Sequence, residues 1–201
     1  MNQYPKYKYS GKEWIGEIPE QWKIVPLRYI SYMKGRIGWQ NLRASEFSFE
    51  EDNPYLITGM NFKDGAIRWD EVYHITEERY NEAPEIQLKE GDVLLTKDGT
   101  IGKLLFVDYL PNKASLNSHL LLLRPLKNEY APKYIYYQLY SNIFRNYVEN
   151  VKTGTTFFGI TQEATGQFPT ILPNISEQFN IADYLDSKTY QIDMLIANKQ
   201  K

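Results

Sequence analysis

The feature that most constrains this 201-residue chain is its final stretch, from Lys152 to Lys201. A polar turn, Lys152-Thr153-Gly154-Thr155-Thr156, leads through Gly159-Ile160-Thr161 to a connector punctuated by Pro169 and Pro173. Pro173 bars a helix before it, and Asn174 or Ser176 is placed to cap one beginning just after. Glu177 then falls in the first turn, where negative charge meets the positive end of the helix dipole. Ile181, Leu185, Lys188, Ile192 and Leu195 recur at spacings of four, three, four and three, a heptad-like seam with Lys188 as its one polar break. A helix over about 177–198 would be roughly 33 Å long. No residues of this sequence follow to cover its face. The segment is expected either to fold back on its own domain or to need a partner.

Composition allows a proper core. Hydrophobic residues make up 42 % and aromatics 15 %, with 17 tyrosines, which argues against disorder. Length fits one ordinary domain plus an appendage. There is no apolar run long enough to span a bilayer and no charged-then-apolar leader, so a soluble, cytoplasmic protein without membrane contact is expected. The absence of cysteine removes disulfides, thiolate nucleophiles and cysteine metal sites. Net charge is −2, yet the charges are sorted. Residues 21–45 hold five basic side chains and no acidic one, whereas residues 46–98 hold 14 acidic against five basic. Such sorting can give a basic face to an acidic protein, although a charge block is also compatible with a merely solvated surface.

Taken in order, the chain opens on Tyr7 to Trp22, where Gly11, Gly16 and Pro19 break regular structure. An extended arm pinned by Trp14, Ile18 and Trp22 is expected. Ile24 to Leu27 reads as a short strand. Lys34-Gly35-Arg36-Ile37-Gly38-Trp39-Gln40-Asn41-Leu42-Arg43 reads as a loop that mixes basic, aromatic and amide side chains. Arg suits guanine O6/N7 and phosphate, and Gln and Asn suit adenine N6/N7. Tyr55 to Thr58 is a strand, Lys63-Asp64-Gly65 a turn, and Glu77 to Glu85 a short exposed helix. Leu88 to Val107 is the most ordered signal: two apolar strands around the Asp98-Gly99 turn. Gly99-Thr100-Ile101-Gly102-Lys103 lacks the spacing of a phosphate loop and precedes no helix. Pro132 suits the first position of a helix through Asn150, with Tyr136, Leu139, Tyr140, Ile143, Tyr147 and Val151 as its core face.

Chemistry for catalysis is missing. The sequence holds no Glu-x-Lys tripeptide, nucleophile elbow, His-Glu-x-x-His pair, methyl-donor glycine loop or Asn/Asp-Pro-Pro-Tyr/Phe signature. His74 and His119 read as structural.

Several of these stretches resemble one family, the specificity (S) subunits of Type I restriction–modification enzymes, through the N-terminal target recognition domain and the start of a conserved helix. The resemblance lies in Trp14-Ile15-Gly16, Ile18-Pro19 and Trp22; in Gly91-Asp92-Val93-Leu94 followed by Lys97 to Lys103; and in Ala114 to Leu120 with Arg124-Pro125. It continues in Gly154-Thr155-Thr156, Ile160-Thr161, Pro173, Glu177-Gln178 and Ile181 to Asp186, then Lys188 and Ile192 to Ile196. Members often carry two prolines before Glu-Gln, where this chain has Pro173-Asn174-Ile175-Ser176.

The resemblance implies an α+β fold: a globular recognition domain over 1–172, with β-hairpins and packed helices, then a spacer helix over 173–201. It implies a non-catalytic subunit that reads one half of a bipartite double-stranded DNA site and scaffolds methyltransferase (M) and restriction (R) subunits. S-adenosylmethionine, ATP and Mg would act in those partners, and this chain would bind no cofactor and no metal. Expected DNA contacts are Lys34, Arg36, Trp39, Gln40, Asn41 and Arg43, Lys97 and Thr100 at the hairpin, and Lys152, Thr153 and Thr155 at the exit turn. Ile181, Leu185, Lys188, Ile192 and Leu195 would form a partner surface, most simply a homodimer of antiparallel helices. An interaction-only protein that sequesters methyltransferase subunits without reading DNA is the alternative, and an aromatic-rich carbohydrate-binding module a third reading.

Overall fold

The computed structural model describes residues 4–35, 42–48, 50–63, 65–97, 102–151 and 159–199. Strands β1 (Tyr7–Tyr9) and β2 (Glu17–Pro19) form a hairpin, followed by β3 (Lys23–Pro26) and β4 (Ser31–Lys34). Next come β5 (Tyr55–Ile57), the hairpin of β6 (Phe62–Lys63) and β7 (Ala66–Ile67), β8 (Tyr73–His74) and α1 (Glu77–Asn81). The middle of the chain supplies β9 (Val93–Thr96), β10 (Leu104–Phe106), β11 (Ala114–Leu116) and β12 (Leu120–Pro125). Helices α2 (Pro132–Tyr140), α3 (Asn142–Val151) and α4 (Gln162–Gly166) precede β13 (Pro169–Leu172) and the terminal α5 (Ile175–Lys199).

A four-stranded antiparallel sheet, ordered β10-β9-β12-β4, forms the centre. Alternate residues of each strand point to opposite faces. Val93, Leu95, Leu104, Leu121 and Leu123 join Tyr134, Ile135, Leu139, Phe144 and Val148 in one core. Leu94, Leu105, Leu120 and Leu122 join Ile57, Val72, Ile86 and Leu116 in a second. Both faces are therefore covered, by helices on one side and by the sheet β11-β5-β8 on the other. That explains why residues 93–95 and 120–123 are apolar without a break. Within the second sheet β5 and β11 run parallel. The mixed α+β architecture and the long terminal helix are as expected from the sequence.

Three local expectations need correction. The N-terminal arm is a hairpin, because Gly11 and Gly16 adopt positive φ (78° and 73°) and let the chain turn back. Ile18 is buried in it, and Trp14, 44 % exposed, sets its ring beside those of Tyr147 and Phe168, with ring centres 6.3 and 6.5 Å away. The single helix over 132–150 is two. Ser141 is extended (φ −70°, ψ 160°), while its carbonyl accepts from Arg145 N at 3.2 Å, the geometry of a helix N-cap. In one continuous helix Phe144 and Val148 would lie about 140° and 180° around the axis from Leu139. The break lets all three face the core. Tyr140, assigned to the core face, is exposed. Finally, the proline-flanked connector is a strand: β13 pairs with β3, with Pro169 at its first position opposite Pro26.

Buried polar groups lock the ends of these elements. Asp92, at the mouth of β9, accepts from Arg124 Nε and Nη2 at 2.7 Å each and from Lys89 N at 2.7 Å. Arg124 Nη2 also donates to Gln87 O at 3.0 Å, and the Asp92 hydrogen bond pushes the guanidinium pKa further above its usual value. Ser31 Oγ and Tyr130 OH are 2.8 Å apart, and burial raises the Tyr130 phenol.

Candidate nucleic-acid interface

Antiparallel order brings the end of β4, the end of β9, and the starts of β10 and β12 to one edge of the central sheet. Lys34 pairs with Leu122, Thr96 with Leu120, and Leu95 with Leu104. The strands are tied there closely. Thr96 N donates to Lys103 O at 2.9 Å, Lys103 N donates to Thr96 Oγ1 at 2.9 Å, and Lys97 N donates to His119 O at 3.0 Å. Gly35 leaves β4 close against β12, where a Cβ would lie 3.0 Å from Leu120 O and 3.6 Å from Lys97 Cε. The return from α3 reaches the same edge: Ile160 N donates to Lys97 O at 2.7 Å, and Gln162 Nε2 donates to Met33 O at 3.1 Å. Thr161 then caps α4 by accepting from Ala164 N at 3.0 Å.

Lys34 and Lys97, two of the sequence-derived contact residues, thus both reach this edge, on the strands that flank β12. The flanks of all three stretches singled out above meet there as well. Arg43 is exposed ahead of the Ala44–Glu46 turn, whose Glu46 carboxylate accepts from its backbone amide at 2.7 Å. Arg36, Trp39, Gln40, Asn41, Thr100, Lys152, Thr153 and Thr155 lie outside the described residues. Three neighbours at the edge escaped the sequence reading. Lys103 is exposed, the Asn117-Ser118-His119 turn is closed on Asn117 Oδ1, and the Gly59-Met60 turn rests on Thr96. Their sequences do not mark them as contacts; only their contacts with β9 and β12 put them here.

The second set of predicted residues lies on α5, and its seam is not uniform. Asn174 Oδ1 caps the helix by accepting from Glu177 N at 3.0 Å. Gln178, 2 % exposed, accepts from Ala131 N at 3.0 Å and donates to Pro173 O at 2.9 Å, joining the starts of α2 and α5. Glu177 accepts from Tyr4 OH and from Trp22 Nε1, the latter at 3.2 Å. The Glu177 hydrogen bond is the main cause pushing the Tyr4 phenol up to about 12. Further along, Asp186 meets Lys133 Nζ at 2.7 Å and Tyr137 OH at 2.5 Å. Ile181 packs against the domain's own core and Leu185 is half-buried. Beyond Asp186 the helix is exposed: Ile192 is 54 % and Leu195 62 % accessible, alongside Met194 and Ile196. Lys188 is exposed, with its ammonium 3.1 Å from Gln191 Oε1 and 5.6 Å from the Tyr184 ring centre. Among the described residues, no cluster of His, Cys, Asp and Glu could hold a metal, and no helix is long and apolar enough to cross a membrane.

The model of the Type I restriction modification DNA specificity domain matches residues 19–201. The chain is 27 % identical over 200 residues to the Type I restriction enzyme MjaVIII specificity subunit of Methanocaldococcus jannaschii, covering 98 % of this chain and 45 % of that protein. It is 23 % identical over 181 residues to the EcoKI specificity subunit of Escherichia coli, covering 89 % and 38 %. Among solved structures, a chain from a study of complex assembly in the type I R-M system superposes with TM-score 0.68 at 21 % identity, covering 94 % of this chain and 42 % of that one. The HsdS subunit from Thermoanaerobacter tengcongensis gives TM-score 0.66 at 19 % identity, covering 96 % and 42 %. These likenesses show a shared fold. The chain spans less than half the length of the relatives it matches.

Proposed function

We propose that this chain, which belongs to the family of the Type I restriction modification DNA specificity domain, reads one half of a bipartite DNA site for a multisubunit enzyme. The observation that supports this reading best is the convergence at one sheet edge of the Lys34, Lys97 and Ile160 segments, sequence stretches rich in basic, amide and hydroxyl side chains. Lysines there suit phosphate contacts, which set register and affinity. The base-reading side chains would come from the sequence stretches that adjoin this edge: Arg36, Trp39, Gln40 and Asn41 after Lys34, Thr100 after Lys97, and Lys152, Thr153 and Thr155 before Ile160. Arg43, exposed, follows the first of these stretches.

In this reading residues 1–172 are the recognition domain and 173–201 the spacer helix. Methyl transfer with S-adenosylmethionine, and ATP- and Mg-dependent translocation and cleavage, belong to methyltransferase and restriction subunits. The assembly works in the cytoplasm. The exposed half of α5, around Ile192 and Leu195, takes a second copy of the chain in an antiparallel pairing. A two-fold dimer would aim two identical domains at the halves of an interrupted palindrome.

Phosphate contacts give the reading a direct test. Lys34→Ala and Lys97→Ala should each weaken binding of the assembled enzyme to every duplex alike and reduce the salt slope by about one. Titrations at several salt concentrations measure it. Unchanged slopes in both variants would move the DNA to another face.

A further inference from the structure

The turn before β6 is built rigidly for what it displays. Thr58 N and Oγ1 donate to Asn61 Oδ1 at 2.8 and 2.9 Å, and Met60 N donates back to Thr58 Oγ1 at 3.3 Å. Asn61, 4 % exposed, anchors the turn through Nδ2 to Glu71 O at 3.0 Å. Beneath it, Gly59 lies against the end of the central sheet, where a Cβ would come within 3.0 Å of Thr96 Cγ2. The turn is therefore fixed against Thr96 at the end of β9 and followed by the exposed Lys63. Yet what it holds out is a methionine, 87 % exposed, the most accessible large apolar side chain among the described residues. Packing does not explain such a side chain, since it contributes almost no burial.

We infer that Met60 is a base-contacting residue, an apolar probe placed against the bases of the bound duplex. Apolar side chains read the thymine methyl in the major groove, and methionine is among the residues that wedge between base steps. A flexible thioether on a fixed turn suits either contact. The inference rests on the reading of this edge as the DNA face.

The test uses the chain assembled with its methyltransferase subunits, titrated by fluorescence anisotropy against a duplex carrying the modified site and a scrambled one. Met60→Ala is expected to lose about tenfold in affinity for the site, with affinity for the scrambled duplex and the salt slope unchanged. Met60→Leu should restore most of the loss. Equal affinity of Met60→Ala and wild type for the site overturns the inference, as does an equal loss on both duplexes. A variant that binds DNA normally once assembled but assembles poorly would assign Met60 to a protein interface and also overturn it. Wild type with no preference for the site would remove the DNA reading itself, a result separable from any difference between variants.

Discussion

Asp92→Ala is expected to destabilise the domain by about 3–5 kcal/mol, a large part of the roughly 5–15 kcal/mol that holds a domain of this size together. The Asp92 side chain is 1 % exposed and receives both Arg124 nitrogens and the Lys89 amide. Its removal leaves a partly buried guanidinium, 24 % exposed, with the Gln87 carbonyl as its remaining hydrogen-bond partner between the start of β9 and the end of β12. The loss comes from the orphaned charge more than from the pair's own worth, because replacing both partners by apolar groups is often nearly neutral. Asp92→Leu with Arg124→Met should therefore recover much of the stability. Urea unfolding of the three proteins measures both effects. A loss below about 1 kcal/mol in Asp92→Ala would mean that water reaches the pair.

The second large effect concerns α5. Ile192→Asp with Leu195→Asp should leave domain stability within about 0.5 kcal/mol, because both side chains are exposed on the single chain. The same pair should abolish self-association. Burying one Leu or Ile contributes roughly 1.5–3 kcal/mol, and each 1.4 kcal/mol is tenfold in affinity. Sedimentation at tens of micromolar (roughly the range where such a pairing should hold) is expected to find a wild-type dimer and a monomeric variant. A monomeric wild type would refute the pairing, and a dimeric variant would place it elsewhere.

Much of this architecture was legible in the sequence where local chemistry and tertiary packing agree. The apolar strands flanking residues 97–103 could only be a hairpin, and Pro173, Asn174 and Glu177 marked the start of α5. What was hidden depends on partners distant in sequence. Ser141 looks unremarkable in an aromatic helix until Ile135, Leu139, Phe144 and Val148 must share one core. Gln178 reads as a surface amide, yet it donates to Pro173 O and accepts from Ala131 N, 47 residues earlier in the chain. The seam of α5 was visible as a pattern, but periodicity cannot say that Ile181 packs at home while Ile192 does not. At the candidate interface, residue type pointed to Lys34 and Lys97, whereas Met60 emerges only from how Gly59 sits on Thr96.

The most direct test of sequence recognition is the methylation pattern of genomic DNA from cells carrying the partner methyltransferase subunits, with and without this chain. The account predicts an interrupted-palindrome motif modified only when the chain is present, and shifted or lost when the residues of its recognition loops are exchanged. Identical patterns with and without the chain would contradict it.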